Sequence, residues 1–299
     1  MFTENQLSEI KKLISPEKKV VIITHYNPDG DAIGSALGLK HFLNNMGVEP
    51  TVLAPNDFPK FLKWMPDAKK VVIAEYKRKT AGEAIYKADV IFCLDFNAHN
   101  RIGILGDWLM KSWAKKILID HHQQPEDFDY VYSDVTIPAT CQMVYHFIEA
   151  LGREDLVDQN VAECLYTGIM TDTGGFRFRS TSATTHRIVA NLIEKGANPA
   201  MITSNTWDTN SVSRLHLLSL ILGRIELVKD GKVAVLYLKR EELKEFGFEK
   251  GDTEGFVNYG LSIAGTKMAA FFMEDLHEDY IKISFRSKDD VDTNAFARA

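Results

Sequence analysis

The sequence predicts an α/β protein: a larger domain with a mainly parallel sheet flanked by helices, followed by a smaller α/β domain with a mixed sheet. Three observations carry this. The apolar runs at 20–23 (VVII), 90–94 (VIFCL) and 117–119 (ILI) are continuous rather than alternating, as in strands buried on both faces. Stretches of helical periodicity lie between them, so the strands run the same way and are joined by crossovers. From residue 209 the pattern changes to a Leu-rich helix and then to hairpin-type strands.

The 299 residues suit one large or two ordinary domains, and 45% hydrophobic residues is enough to bury a sizeable core. A net charge of -6 argues against a broad basic face for long duplex nucleic acid, so short anionic ligands fit better than polymers. Residues 1–14 form a charged amphipathic helix with Leu7, Ile10, Leu13 and Ile14 on one face, without the apolar centre of a signal peptide. No stretch is long enough to span a membrane. Cys93, Cys141 and Cys164 are far apart, so reduced, buried thiols and a cytoplasmic location are expected.

Residues 18–37 read KKVVIITHYNPDGDAIGSAL: a strand that stops at His25, a turn over 27–30, and a helix that Asp31 can cap. Short strands at 50–53 and 70–74 and a helix at 81–87 follow. The strand at 90–94 ends at Asp95, residues 99–103 form a turn, and 107–114 a short helix. The strand at 117–119 runs into Asp120, His121 and His122, and Pro125 ends regular structure. Helices at 138–151, closed by Gly152, and 160–170 come next, the second delivering Asp172. Arg177 and Arg179 are expected on a solvated strand edge, 184–196 is helical, and Asn198 and Pro199 mark a loop.

The remainder reads as a helix over 211–227, a hairpin turning at Asp230 and Gly231, a strand at 233–238 and a helix at 241–246. Paired strands at 267–273 and 280–285 follow, with the start of a helix at 292–299. The domain boundaries are thus 1–208, a linker helix at 209–228, and 229–299.

Ligands of open parallel sheets lie beyond the carboxyl ends of the strands. Three strands here end in His25, Asp95 and Asp120, the first turn supplies Asp29 and Asp31, and a helix end supplies Asp172. A nucleotide-binding turn at this place would be glycine-rich, but this one is acidic and repels bare phosphate. Five carboxylates and up to three imidazoles converging on one place require divalent cations. Two ions are the economical number, and Asp and His ligands without Cys suit Mn²⁺ first, with Mg²⁺, Co²⁺ or Zn²⁺ also compatible. Two ions about 3.5–4 Å apart would acidify a bridging water and clamp an in-line displacement at phosphorus. His41, His146, His186, His216 and His277 lack partner acids and are read as structural.

HYNPDGDAIGS, Asp95, IDHH and TGIMTDTGGF occur in the order of the four motifs of the DHH phosphoesterase superfamily, which this sequence resembles over about two thirds of its length. The second lobe resembles the DHH-associated domain of the NrnA-like oligoribonucleases, pAp phosphatases and cyclic-dinucleotide phosphodiesterases. By that resemblance His25, Asp29 and Asp95 would hold one metal, and Asp31, Asp95, His121 and Asp172 the other. Asp120 would orient the histidines, and His122 would meet the scissile phosphate as charge stabiliser or proton donor. Arg286 in ISFRS matches the family's substrate-facing strand, and Arg101 and Asn27 are further candidate substrate contacts. A glycine-rich GGGH-type loop, normal for the subfamily after the helix beginning near Asn294, does not occur before Ala299.

The implied activity is metal-dependent hydrolysis of short oligoribonucleotides, linear dinucleotides or pAp. Alternatives are an inorganic pyrophosphatase or exopolyphosphatase of the same superfamily, or a non-catalytic nucleotide or metal sensor. Expected partners are a small nucleotide or short single-stranded RNA and no membrane, with a homodimer left open.

Overall fold

The computed structural model describes residues 1–249, 251–288, 291 and 293. The chain divides into two compact units, Met1–Asp208 and Thr209–Ala299. In the first, α1 (Glu4–Leu13) leads to β1 (Val20–Ile23), α2 (Gly30–Asn45), β2 (Thr51–Ala54) and β3 (Val72–Ile73). Then come α3 (Arg78–Lys87), β4 (Val90–Leu94), α4 (Ile104–Lys111), β5 (Lys115–Asp120) and β6 (Tyr130–Ser133). Four helices complete it: α5 (Thr140–Leu151), α6 (Gln159–Asp172), α7 (Ala183–Glu194) and α8 (Pro199–Trp207).

The six strands are parallel throughout, in the order β3-β2-β1-β4-β5-β6. The chain moves outward from β1 in one direction and from β4 in the other, so the switch point lies between these two central strands. Ile23 pairs with Cys93 and Leu94 with Ile119. That register brings His25, Asp95 and Asp120 to one level at the carboxyl edge of the sheet.

Helix α2 is buried on nearly every side, including Ile33, Leu37, Leu39 and Phe42. Each fully buried side chain of that size contributes about 1.5–3 kcal/mol of transfer free energy. Its glycines recur every fourth residue and let α6 approach closely. A Cβ on Gly34 would lie 2.6 Å from the Cys164 carbonyl oxygen, and one on Gly168 would lie 2.9 Å from Asp31 Oδ1. This contact draws the first turn of α2 and the last turn of α6 together.

Several local expectations need correction. Regular structure resumes after Pro125 as β6, a short aromatic and β-branched edge strand. Asn198 and Pro199 begin a helix rather than a loop: Asn198 accepts from the Met201 amide, and Pro199 occupies the first helical position, where no N–H is needed. Arg177 and Arg179 lie on no strand, because Gly174, Gly175 and Phe176 all have positive φ and coil the chain into a turn. Arg177 Nε donates to the Gly174 carbonyl at 2.7 Å. The three cysteines are free and buried.

The second unit contains α9 (Val212–Gly223), β7 (Glu226–Val228), β8 (Val233–Leu238) and α10 (Arg240–Glu245), then α11 (Phe256–Leu261), β9 (Met268–Glu274) and β10 (Ile281–Ser287). Its sheet, β10-β9-β8-β7, is mixed: β8 and β9 are parallel and the outer pairs antiparallel. Leu217 and Ile221 of α9 pack with Leu236, Leu238, Phe256 and Phe271 in this unit's own core. The Leu-rich helix is shorter than its sequence suggests, because residues 226–228 pair with β8 instead. Helix α11 was not legible in the sequence. The helix expected at 292–299 lies largely outside the described residues. No helix among the described residues is long and apolar enough to cross a membrane.

Candidate metal centre

The turn after β1 is built by its acids. Asp29, rather than Asp31, caps α2: its Oδ1 accepts from the Asp31 and Ala32 amides at 3.0 Å each. Asp31 sits inside the first turn with 1% exposure and reaches across to α5. Its Oδ2 accepts from the Thr140 amide at 2.5 Å and its Oδ1 from the Cys141 amide at 2.8 Å. The start of α5, where backbone amides would otherwise attract an anion, is thereby filled by a carboxylate of the chain itself.

All three imidazoles are held by Nδ1. His25 Nδ1 donates to the Tyr26 carbonyl at 2.9 Å, His121 Nδ1 to the Ile137 carbonyl at 3.2 Å, and His122 Nδ1 to Asp120 Oδ1 at 2.7 Å. Each Nε2 is left free to act. His25 Nε2 lies 3.4 Å from Asp95 Oδ2 and 3.8 Å from Asp29 Oδ1. His121 Nε2 lies 3.5 Å from Asp95 Oδ1, 3.5 Å from Asp172 Oδ2 and 3.9 Å from Asp31 Oδ2.

Asp95 therefore turns one oxygen toward each histidine. It is 2% exposed, adopts φ 64°, and its Oδ1 accepts from the Thr140 hydroxyl at 2.9 Å. Within this arrangement His25, Asp29 and Asp95 offer donor atoms within 4.8 Å of one another, as do Asp31, His121 and Asp172, and also Asp95, His121 and His122.

The electrostatics are those of a crowded anionic site. Burial pushes the Asp31 carboxyl up to about 7, with the Asp95 charge adding and His121 opposing. Asp172 is raised well above the usual carboxylate range by burial and by Asp31. Burial by itself would lower the His121 imidazole, yet Asp95, Asp31 and Asp172 carry it up to about 9. His25 is raised in the same way, with Asp29 and Asp95 overcoming burial. Asp29, in turn, is drawn below its ordinary value by His25 against the effect of burial.

Protons thus take the part that cations would take, and this donor set of carboxylates and Nε2 atoms, without sulfur, fits hard to borderline divalent ions. His25, Asp29 and Asp95 could hold a cation, and so could Asp31, His121 and Asp172. Asp120 Oδ2 is buried without a hydrogen-bond partner, while Oδ1 fixes His122.

The remaining sequence candidates are placed differently. Asn27 is exposed and committed to the shape of its turn: at φ 56° its amide donates to Asn56 Oδ1 at 2.7 Å, and Asn56 Nδ2 donates to Asn27 Oδ1 at 2.8 Å. Arg101 has an exposed side chain, and its carbonyl accepts from the Tyr26 amide at 2.7 Å. Arg286 belongs to the second unit, where it lines a small cleft with Lys282, Ser284, Thr253, Glu254 and Asn258. Thr140 escaped the sequence reading, because a Thr at a helix start is ordinary. The recurring Gly30, Gly34 and Gly38 were the available signal for the close α2–α6 approach beside it.

Residues 19–169 match the model of the DHH family, N-terminal domain. The chain is 29% identical over 293 residues, 97% of its length and 82% of the relative's, to the bifunctional oligoribonuclease and PAP phosphatase NrnA of Thermus thermophilus. It is 25% identical to the Bacillus subtilis protein of the same name, over 97% of this chain and 88% of that one. A crystal structure of an exopolyphosphatase-related protein from Bacteroides fragilis superposes with a TM-score of 0.94 at 40% identity, covering 99% of this chain and 86% of that one. The Asp120-His121-His122 triplet stands at the carboxyl end of the parallel strand β5, the family pattern spans half of the sequence, and the chain belongs to the DHH family.

Proposed function

We propose that this protein is a phosphoric ester hydrolase that uses two divalent cations, Mn²⁺ first, to cleave short oligoribonucleotides, linear dinucleotides or pAp. The observation that carries the reading is Asp95, whose two oxygens face His25 and His121 separately and so link the donor groups on either side. Cations held there would supply Lewis acidity and a more acidic water. The chain's own residues supply the rest. Asp120 accepts a hydrogen bond from His122 Nδ1–H and so turns Nε2 of that half-exposed ring toward a phosphoryl oxygen or leaving group, to which the protonated ring would donate. Thr140 and the α5 amides fix Asp95 and Asp31, and Arg286 of the second unit is a candidate substrate contact by the family resemblance alone. The named activities of the Thermus and Bacillus relatives support this substrate class.

Likeness to the exopolyphosphatase-related protein of Bacteroides favours one second reading, hydrolysis of polyphosphate. Incubation of the chain with Mn²⁺ and, separately, pApA, pAp, pyrophosphate and polyphosphate decides between them by nucleotide and phosphate release. Turnover of pApA or pAp above the inorganic substrates is expected. Preference for polyphosphate would overturn the nucleotide reading, and binding of nucleotides without turnover would replace the enzyme by a sensor.

A further inference from the structure

Residues 121–129 carry the paired histidines and contain no helix or strand. His121 and His122 have their rings fixed by Ile137 and Asp120, but those bonds orient rings and leave the course of the following backbone to other contacts. The contacts come from the segment that follows Asp95. Asn97 Nδ2 donates to the Gln123 carbonyl at 2.6 Å, and the Glu126 amide donates to the Asn97 carbonyl at 2.8 Å. The His99 amide donates to Glu126 Oε2 at 2.9 Å, and His99 Nδ1 meets the same oxygen. The His99 ring stacks on Phe128, with centroids 5.1 Å apart and planes 17° apart, and Phe128 meets the buried Phe96 edge-on.

We infer that Asn97, His99 and Glu126 form a latch that sets the distance between Asp95 and the paired histidines, and that all three are positioning residues for the metal centre. The inference rests on the reading of Asp95 and His121 as cation ligands. Every bond of the latch joins the loop after β4 to the loop after β5, the two segments that carry those ligands.

Stability does not account for it. The His99 and Glu126 side chains are 19% and 46% exposed, and an ion pair of that exposure contributes only about 0–1 kcal/mol. Geometry does account for it, since partners one layer behind a metal ligand commonly change affinity by about 10–100-fold. The Glu126 carboxyl is held below its usual range first by the His99 amide, so it accepts both donors at neutral pH.

Titration of the full chain with Mn²⁺, followed by the electron paramagnetic resonance of free ion, tests the latch without reference to turnover. Glu126→Ala and Asn97→Ala should each weaken binding about 10-fold. Glu126→Gln should stay within about 3-fold of the parent, since its carboxamide oxygen still accepts the His99 amide. Thermal midpoints of the metal-free variants should lie within about 4 °C of the parent. Unchanged affinity in Glu126→Ala overturns the latch, as does an affinity loss matched by a larger fall in metal-free stability. Glu126→Gln falling as far as Glu126→Ala overturns it too, because charge and not geometry would then be acting. A parent chain that binds no Mn²⁺ overturns the metal-centre reading instead, a result distinct from a parent that binds and variants that bind equally.

Discussion

The acidic centre of the first unit and the Arg286 cleft of the second are held by their surroundings to very different degrees. In the first, three imidazoles have Nδ1 tied down, Asp31 accepts two backbone amides, and Asp95 accepts the Thr140 hydroxyl. In the second, Arg286 is exposed and donates to the carbonyl of its own neighbour, Phe285, at 3.1 Å. Groups that would hold ions of fixed size gain from preorganisation, whereas a long side chain with free torsions could follow ligands of differing shape. The contrast teaches which half should govern the rate and which the affinity.

Three measurements strain that division, beginning with the largest effect. Asp95→Ala removes the carboxylate shared by both donor groups, and kcat/KM for the best nucleotide substrate should fall on the order of 10³-fold, since several kcal/mol of charge stabilisation go with it. Chromatography of the released nucleotides would show this, and retention of near-parental turnover would dissolve the central role given to Asp95. Arg286→Ala should raise KM about 10-fold and change kcat by less than about 3-fold, the mark of a group that binds ground and transition states alike. A fall in kcat of the same size as the change in kcat/KM would move Arg286 into the chemistry and erase the contrast.

The smallest effect concerns pH. Asp31 titrates near 7 in the folded chain against 3.8 ordinarily, and His121 near 9 against 6.5. Both folded values are raised, so the folded state keeps protons that the unfolded chain has released. Their contribution is complete at low pH and is lost as pH rises, across about 4–7 for Asp31 and about 6.5–9 for His121. In chelator, the urea midpoint should therefore decline between pH 6.5 and 9. Mn²⁺ should reverse the slope, because ligands must shed protons to bind it. A midpoint that rises with pH in chelator would show that the cluster does not hold those protons.

Much of the centre was legible because a parallel sheet makes a simple promise: whatever follows its buried strands shares one edge. His25, Asp95 and Asp120 each follow an uninterrupted apolar run, so their convergence could be read without knowing the strand order. Asp172 was harder, being at the end of a helix, and only the glycine spacing in α2 explains why that helix lies close enough. Thr140 and Asn56 were illegible, since each acts through hydrogen bonds to residues far away in sequence. Asn198 and Pro199 were misread because the same two residues serve turns and helix starts, and only the apolar spacing of the following residues separates the cases. Helix α11 is a single short element inside a glycine- and acid-rich stretch, where local pattern gives little signal.

The carboxylate of Asp31 on the first amides of α5 gives the molecule an anion receptor that arrives already plugged, by a tethered guest that cannot diffuse away. Free phosphate gains nothing by competing for it. On the proposed function, a phosphorylated substrate would find a place only once positive charge had been installed among these acids, which would order the loading of the pocket.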